Sequence, residues 1–274
     1  MDALALLNLQ IAWGADEALL EAPLDRFVAP ASQPAALGRV ASPETALAPG
    51  PSPMPASPAP TPGSGGARPP AETPRGSPAE RALALALQAQ DLPALRAAID
   101  AFDGCALRQT ASHTVFAEGD AAAGVLLIGD PPGAEEDRSG RPFAGAEGAL
   151  LDRMLGSIGL RREALLLTPL IPWRPPGGRP PSAAELAICL PFLHRLIALA
   201  DPQRVLIFGT LPARALHPGR RRGVGWVDLA GSWGTRPSLV LPGMSALSKT
   251  PALRKDAWLG LRLLRRALDG AEPN

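Results

Sequence analysis

Val125-Leu126-Leu127-Ile128-Gly129-Asp130-Pro131-Pro132-Gly133 is the stretch on which the fold turns. Four consecutive apolar residues, the first and last β-branched, leave no polar face, which is how a strand buried on both sides of a parallel sheet reads. The run stops at Gly129. Gly129 and Gly133 are expected to let the backbone turn tightly at the strand end, and Pro131 with Pro132 to stiffen the loop against which a ligand would press. Phe143, ten residues further on, is a candidate stacking face or a core phenylalanine.

Three similar short apolar runs follow at Leu165 to Leu167, Arg204 to Phe208 and Leu239 to Leu241. Helical spacing fills the intervals at Glu147 to Leu155, Ser182 to Leu199 and Thr210 to Leu216, and a closing helix is expected from about Ala252 to Leu268. Strands alternating with helices predict a three-layer α/β/α sandwich around a central four-stranded parallel sheet. Ligands bind such sheets beyond the carboxyl ends of the strands, so functional residues are expected just after Ile128, Leu167, Phe208 and Leu241.

The start of this domain is marked by Ser77-Pro78-Ala79-Glu80, a capping box with proline at the first helical position. Helices are expected from Pro78 to Gln90 and from Leu92 to Phe102. Residues 28–76 hold 13 of the chain's 33 prolines and almost no aromatic side chains, too little apolar surface to offset the entropy of ordering, so they read as a disordered Pro/Ala-rich linker. Before it, residues 1–27 form an arm with helical spacing at Leu4, Leu7, Ile11 and Ala15. That arm is open to docking on its own domain or on a protein partner. Residues 77–274 are then a single domain.

The first 77 residues carry four arginines and seven acidic groups, which leaves 23 of the 27 basic and 19 of the 26 acidic residues to the rest. A surplus of about four positive charges is compatible with a nucleic-acid backbone as partner and far from demanding one. Two cysteines and no basic stretch at the N-terminus point to a cytoplasmic location. The apolar run from Ala3 to Ala12 is too short to span a bilayer, and no membrane contact is expected.

The loop after the first strand continues as Ala134-Glu135-Glu136-Asp137-Arg138-Ser139-Gly140-Arg141-Pro142-Phe143-Ala144-Gly145, with Leu150-Leu151-Asp152 beyond it. Together with Gly129 to Gly133 this resembles the first motif of the iron-sulfur uracil-DNA glycosylases, family 4 of their superfamily. Trp173-Arg174-Pro175-Pro176-Gly177-Gly178-Arg179, Cys189-Leu190-Pro191-Phe192-Leu193 and Pro251-Ala252-Leu253-Arg254 resemble later motifs of the same family, in order and with matching spacing from about Ala101 to Leu263. The resemblance implies a DNA-repair enzyme that hydrolyses the bond between base and sugar after extruding the base from DNA. Gly129, Pro132 and Gly133 fall in its substrate loop, and Phe143 takes the place of the phenylalanine that stacks on the extruded uracil.

Several family residues are replaced. Asp130 stands where the resemblance expects glutamate; it keeps a carboxylate for water positioning, one methylene shorter, or it caps the strand end. Pro169 stands where asparagine would read the pyrimidine edge, leaving Thr168 as the nearest polar substitute. Gly243-Met244-Ser245 stands where a His-Pro pair would act on the departing base, with Ser245 or Lys249 as partial compensation. Of four cluster cysteines, Cys105 and Cys189 remain while Phe102 and Trp173 occupy the other two places. A four-iron cluster needs its thiolates, so no cofactor is expected, and Cys105 and Cys189 should be buried remnants. Arg174, Arg179, Lys249 and Arg254, with Arg220 to Arg222, are expected on a DNA-binding face toward single-stranded or damaged DNA. Two functions follow: a glycosylase with altered or weakened chemistry toward uracil or another damaged base, or a catalytically inactive DNA- or partner-binding module.

Overall fold

The computed structural model describes residues 76–217 and 224–270. The expected N-terminal arm, the linker and Arg220 to Arg222 lie outside the described residues.

Helix α1 (Pro78–Gln88) begins as its sequence dictates. Ser77 Oγ accepts from the Glu80 amide and Glu80 Oε2 accepts from the Ser77 amide. Asp91 caps α2 (Leu92–Ala101), and a short α3 (Ala106–Thr110) follows Cys105. Then come β1 (Glu118–Gly119), β2 (Val125–Gly129), α4 (Ala134–Ser139), α5 (Gly145–Gly156) and β3 (Leu166–Pro169). The second half holds α6 (Ala183–Ala200), β4 (Arg204–Phe208), α7 (Thr210–Leu216), β5 (Trp226–Gly231), β6 (Gly234–Leu241), α8 (Met244–Lys249) and α9 (Arg254–Leu268).

The strands form one sheet in the order β1-β3-β2-β4-β6-β5. The inner four, β3, β2, β4 and β6, are parallel and are the four runs read from the sequence. The sheet is nonetheless six-stranded, because β1 and β5 pair antiparallel on the two edges. Neither edge strand has a continuous apolar run: β1 is two residues long, and Leu229 is the one buried side chain of β5. Val125 through Gly129 are all buried, as a central strand covered by helices on both faces requires.

Two apolar layers flank the sheet. One side packs α1, α2 and α6 through Leu95, Ile99, Phe102, Trp173, Phe192 and Ile197; the other packs α5 and α9 through Leu151, Leu155, Leu261 and Leu264. The described residues thus have the α/β/α layering expected. By length and composition α6 would suffice to cross a bilayer. Here its Cys189, Phe192, Leu193, Leu196 and Ile197 face the core, and Arg195 donates to the Ala89 carbonyl at the end of α1.

Candidate active site

The sheet order changes direction at β2: the chain moves outward to β3, then crosses back to β4 on the other side. A crevice at the carboxyl ends of the strands beside such a reversal is where an open α/β sheet binds ligands. A cleft of about 720 Å³ lies there, lined by Asp130 to Glu136, Phe143 and Glu147, Pro169, Arg179, Phe208, Thr210, Arg214, Met244 and Ser245.

Asp130 is the first residue beyond β2. Among the described residues no hydrogen-bond donor reaches its carboxylate, which leaves both oxygens to water or substrate. Burial pushes its carboxyl up to about 6, and the neighbouring charges of Glu147 and Glu136 add to the effect. A carboxylate poised close to neutral pH is suited to taking a proton from water.

Glu136 holds the loop in shape. One of its oxygens accepts from the Gly133 amide (2.6 Å) and the other from the Phe143 amide (2.7 Å). Its own carboxyl is raised by burial, against the lowering effect of those two bonds. Phe143 lines the cleft with φ of 51°, in the left-handed region that a bulky residue rarely adopts. Its amide is held by Glu136 and its carbonyl accepts from Arg162 Nη2 at 3.0 Å, so the surrounding structure fixes the ring where it stands.

The expectation for the two loop glycines is corrected. Neither Gly129 nor Gly133 has a positive φ. Gly129 is instead the residue on which the Phe143 ring rests, since a β-carbon there would overlap that ring. Gly133 is the N-cap of α4.

The structure brings Asp130, Pro132, Gly133, Phe143, Arg179 and Ser245 together around the cleft, with Gly129 directly behind Phe143. It places the others elsewhere. Thr168 is buried on the far side of the sheet end, beside Phe116, Cys189 and Phe192. Arg174 is half-buried, with an Nε that has no partner among the described residues. Lys249 is exposed at the end of α8, and Arg254 ties the start of α9 to the Leu247 carbonyl. Arg179, although in the cleft, is engaged by both oxygens of Glu185 at 2.7 and 2.9 Å and by the Pro180 carbonyl. Arg179 in turn holds the Glu185 carboxyl down to about 2.

Three cleft residues, Glu136, Glu147 and Arg214, and a glycine packed against Asp130, Gly209, escaped the sequence reading. Glu136 and Glu147 stood in and beyond the acidic run without a signal separating them from solvated charge. Gly209 read only as the end of a strand, and Arg214 only as a polar position on a short helix. Arg214 has no hydrogen-bond or ion-pair partner among the described residues, and it lines the cleft beside Thr210 and Leu211. His217, at the end of α7, is half-buried, with Nε2 2.9 Å from Ser238 Oγ.

The four places at which the resemblance expects cluster cysteines lie in the apolar layer on the α6 side. Phe102 and Trp173 stack at 6.5 Å between ring centroids with 16° between planes, and Phe192 meets Phe102 edge-on at 5.4 Å. Trp173 Nε1 donates to Thr114 Oγ1. Cys105 and Cys189 are free and buried; the neighbouring Cys189 thiol holds the Cys105 thiol down to about 7, whereas Cys105 and burial push Cys189 far up. Two thiols and two carbon rings are not the donor set of a four-iron cluster. Among the described residues no three His, Cys, Asp or Glu side chains are placed to share a metal ion.

Residues 116–262 match the uracil DNA glycosylase superfamily. Relatives named type-4 uracil-DNA glycosylase occur in Pyrobaculum aerophilum (39% identical over 133 residues), Archaeoglobus fulgidus (37% over 110) and Thermotoga maritima (35% over 117). The aligned parts cover 48%, 40% and 43% of this chain and 68%, 55% and 61% of those proteins respectively. The chain therefore spans between 55% and 68% of the length of these relatives. The match takes in the loop after β2, the cleft it lines and all four parallel strands, and the chain belongs to the uracil DNA glycosylase superfamily.

Proposed function

We propose that this chain is a base-excision glycosylase that hydrolyses the N-glycosidic bond of uracil or another deaminated or damaged base, with Asp130 as the carboxylate that activates water. The observation that carries the reading is the unpartnered Asp130 carboxylate, pushed up to about 6, in one cleft with Phe143. In the step envisaged, a water oxygen bonds to the sugar carbon as the bond from that carbon to the base nitrogen breaks. The water's proton passes to Asp130, and the bonding pair leaves with the base, which is then protonated by solvent.

Phe143 supplies the stacking face for the extruded base, and Ser245 and Thr210 bring hydroxyls to the rim. Pro169 has neither side-chain donor nor acceptor, so base recognition differs from that implied by the family resemblance, and chemistry toward uracil is weakened or redirected. The DNA is single-stranded or damaged in this reading, because unpaired bases cost least to extrude. No iron-sulfur cluster takes part. Anaerobically purified protein is expected to be colourless and iron-free, and a brown, iron-containing preparation would overturn that point. A cytoplasmic location, the division at residues 27 and 76, a phosphate-contacting role for Arg174, Lys249 and Arg254, and a protein contact for the arm belong to the same proposal.

The test is release of free base from single-stranded and mismatched oligonucleotides carrying uracil, hypoxanthine or xanthine. Release is expected from at least one, falling by about a hundredfold or more in Asp130→Asn. Intact DNA binding without release of any base would instead favour the inactive module, which the loss of polar side chains at Pro169 and Gly243 makes the second reading.

A further inference from the structure

Asp130 leaves β2 beside β4, its neighbour in the sheet, with β6 the next strand over, and just beyond the ends of both β4 and β6 the chain has glycine. A β-carbon built on Gly209 would overlap the Asp130 carboxylate, Oδ1 most severely. One built on Gly243 would overlap Oδ2 and come within 3.2 Å of the Gly209 Cα. The carboxylate therefore sits in a cradle of two side-chain-free positions, held there by shape, since no described residue donates a hydrogen bond to it.

The two glycines differ in what else accounts for them. Gly209 has φ of 116°, a conformation that side chains oppose whatever surrounds it. Gly243 has φ −63° and ψ 152°, extended backbone that any residue adopts. Nor does its place as N-cap of α8 ask for glycine, because serine or aspartate caps at least as well and brings a side-chain acceptor. The overlap with Asp130 is the severe contact that a side chain at 243 would make, the close approach to the Gly209 Cα being the lesser one.

We infer that Gly243 is a positioning residue for Asp130: the missing side chain at 243, with Gly209 opposite, creates the seat from which the Asp130 carboxylate faces the cleft, and that seat excludes any side chain at 243. The inference rests on the reading of Asp130 as the reacting carboxylate. It also means that the histidine expected at this place by family resemblance and the seated Asp130 are alternatives, so restoring histidine alone does not restore family chemistry. The charged groups facing Asp130 are Glu136 from α4 and Glu147 from α5, with Arg179 and Arg214 lining the same cleft. Gly209 and Gly243 add none.

Gly243→Ala, made in the full chain, is the primary test. The cheapest relief of its overlap is rotation of Asp130 out of the cradle into the open cleft, which leaves the unfolding temperature nearly unchanged. A carbon-13 titration of the Asp130 carboxyl should then move from a midpoint of about 6 toward the ordinary aspartate value of 3.8. Base release should lose at least about tenfold in kcat, with KM little changed, because a displaced base costs turnover rather than binding. Gly243→His should lower the unfolding temperature, and Asp130→Gly in the same chain should restore it.

An unmoved Asp130 midpoint in Gly243→Ala would overturn the inference. So would a gain of base release in Gly243→His alone, or a loss of stability in Gly243→His that Asp130→Gly does not relieve. The titration and the stability pair need no turnover. If the unsubstituted protein releases no base, the glycosylase reading falls while these two measurements still decide whether the cradle seats Asp130.

Discussion

At the scale of single residues, Asp130 carries a cost in stability through burial of its carboxyl. Its carboxyl rises from an ordinary value of 3.8 to about 6 on folding, chiefly because the folded chain desolvates it. Between those two pH values the folded protein holds a proton that the unfolded chain has released, so stability falls as pH rises through this window and stays lower above it. Asp130→Asn removes the buried charge. It is expected to stabilise the domain by about 1–2 kcal/mol at pH 8, after allowance for the partial exposure of the group, and to give no advantage below about pH 4. Thermal unfolding at the two pH values checks this. Activity should move the other way with pH, rising through about 6 as the carboxylate becomes free to accept a proton. The left-handed Phe143 belongs to the same pattern of local cost at a working surface. The sequence supplied Asp130 and Phe143 as chemical types, but it carried no sign that one would be desolvated or that the other would be held at an unusual φ.

At the scale of elements, the turn from Arg179 into α6 sets how much unpaired positive charge that side of the cleft presents. Ser182 and Glu185 form a capping box, and the Glu185 carboxylate also grips Arg179 with both oxygens. Arg179 therefore reaches the cleft rim with its charge offset, whereas Arg214 on α7 lines the cleft with no partner among the described residues. Arg214→Ala is expected to weaken binding of a short single-stranded oligonucleotide and to reduce the salt dependence of its affinity by about one phosphate contact. Glu185→Gln keeps the cap, because glutamine serves a capping box, but frees Arg179. Affinity and salt dependence should both rise. Salt titrations of the two variants by fluorescence anisotropy decide the matter; equal salt slopes in Arg214→Ala and the unsubstituted protein would remove Arg214 from the DNA face. The Arg179 pairing was hidden from sequence because it crosses a proline-containing turn and a helix start, outside any regular helical spacing. Thr168 was misplaced for a related reason: side chains alternate across a strand, and the run Leu166 to Pro169 does not by itself say which face meets the cleft.

At the scale of the whole molecule, the apolar layer beside α6 holds aromatic rings at two of the four places where the family resemblance expects cluster ligands. Phe102, Trp173 and Phe192 are almost wholly buried and in ring contact. Phe102→Ala or Trp173→Ala is expected to cost about 3–5 kcal/mol, as deletion of a packed aromatic side chain does, measured by denaturant unfolding. The parallel core of the sheet was open to sequence reading because burial on both faces forces four continuous apolar runs, and a capping box at Ser77 marks the start of α1 just as visibly. The carboxylate after β2 and the aromatic residue beyond it were legible as residue types at a strand's carboxyl end, whereas the loop glycines read as turn residues and Gly129 instead leaves room for the Phe143 ring. The edge strands β1 and β5 and the short α8 were not legible, because two residues, one buried side chain and six residues respectively impose too little pattern to detect. Only the tertiary structure decided that Gly209 and Gly243, 34 positions apart in sequence, close around Asp130 from neighbouring strands. Periodicity records which face of one element is buried; it does not record what stands across from a residue when three strand ends meet.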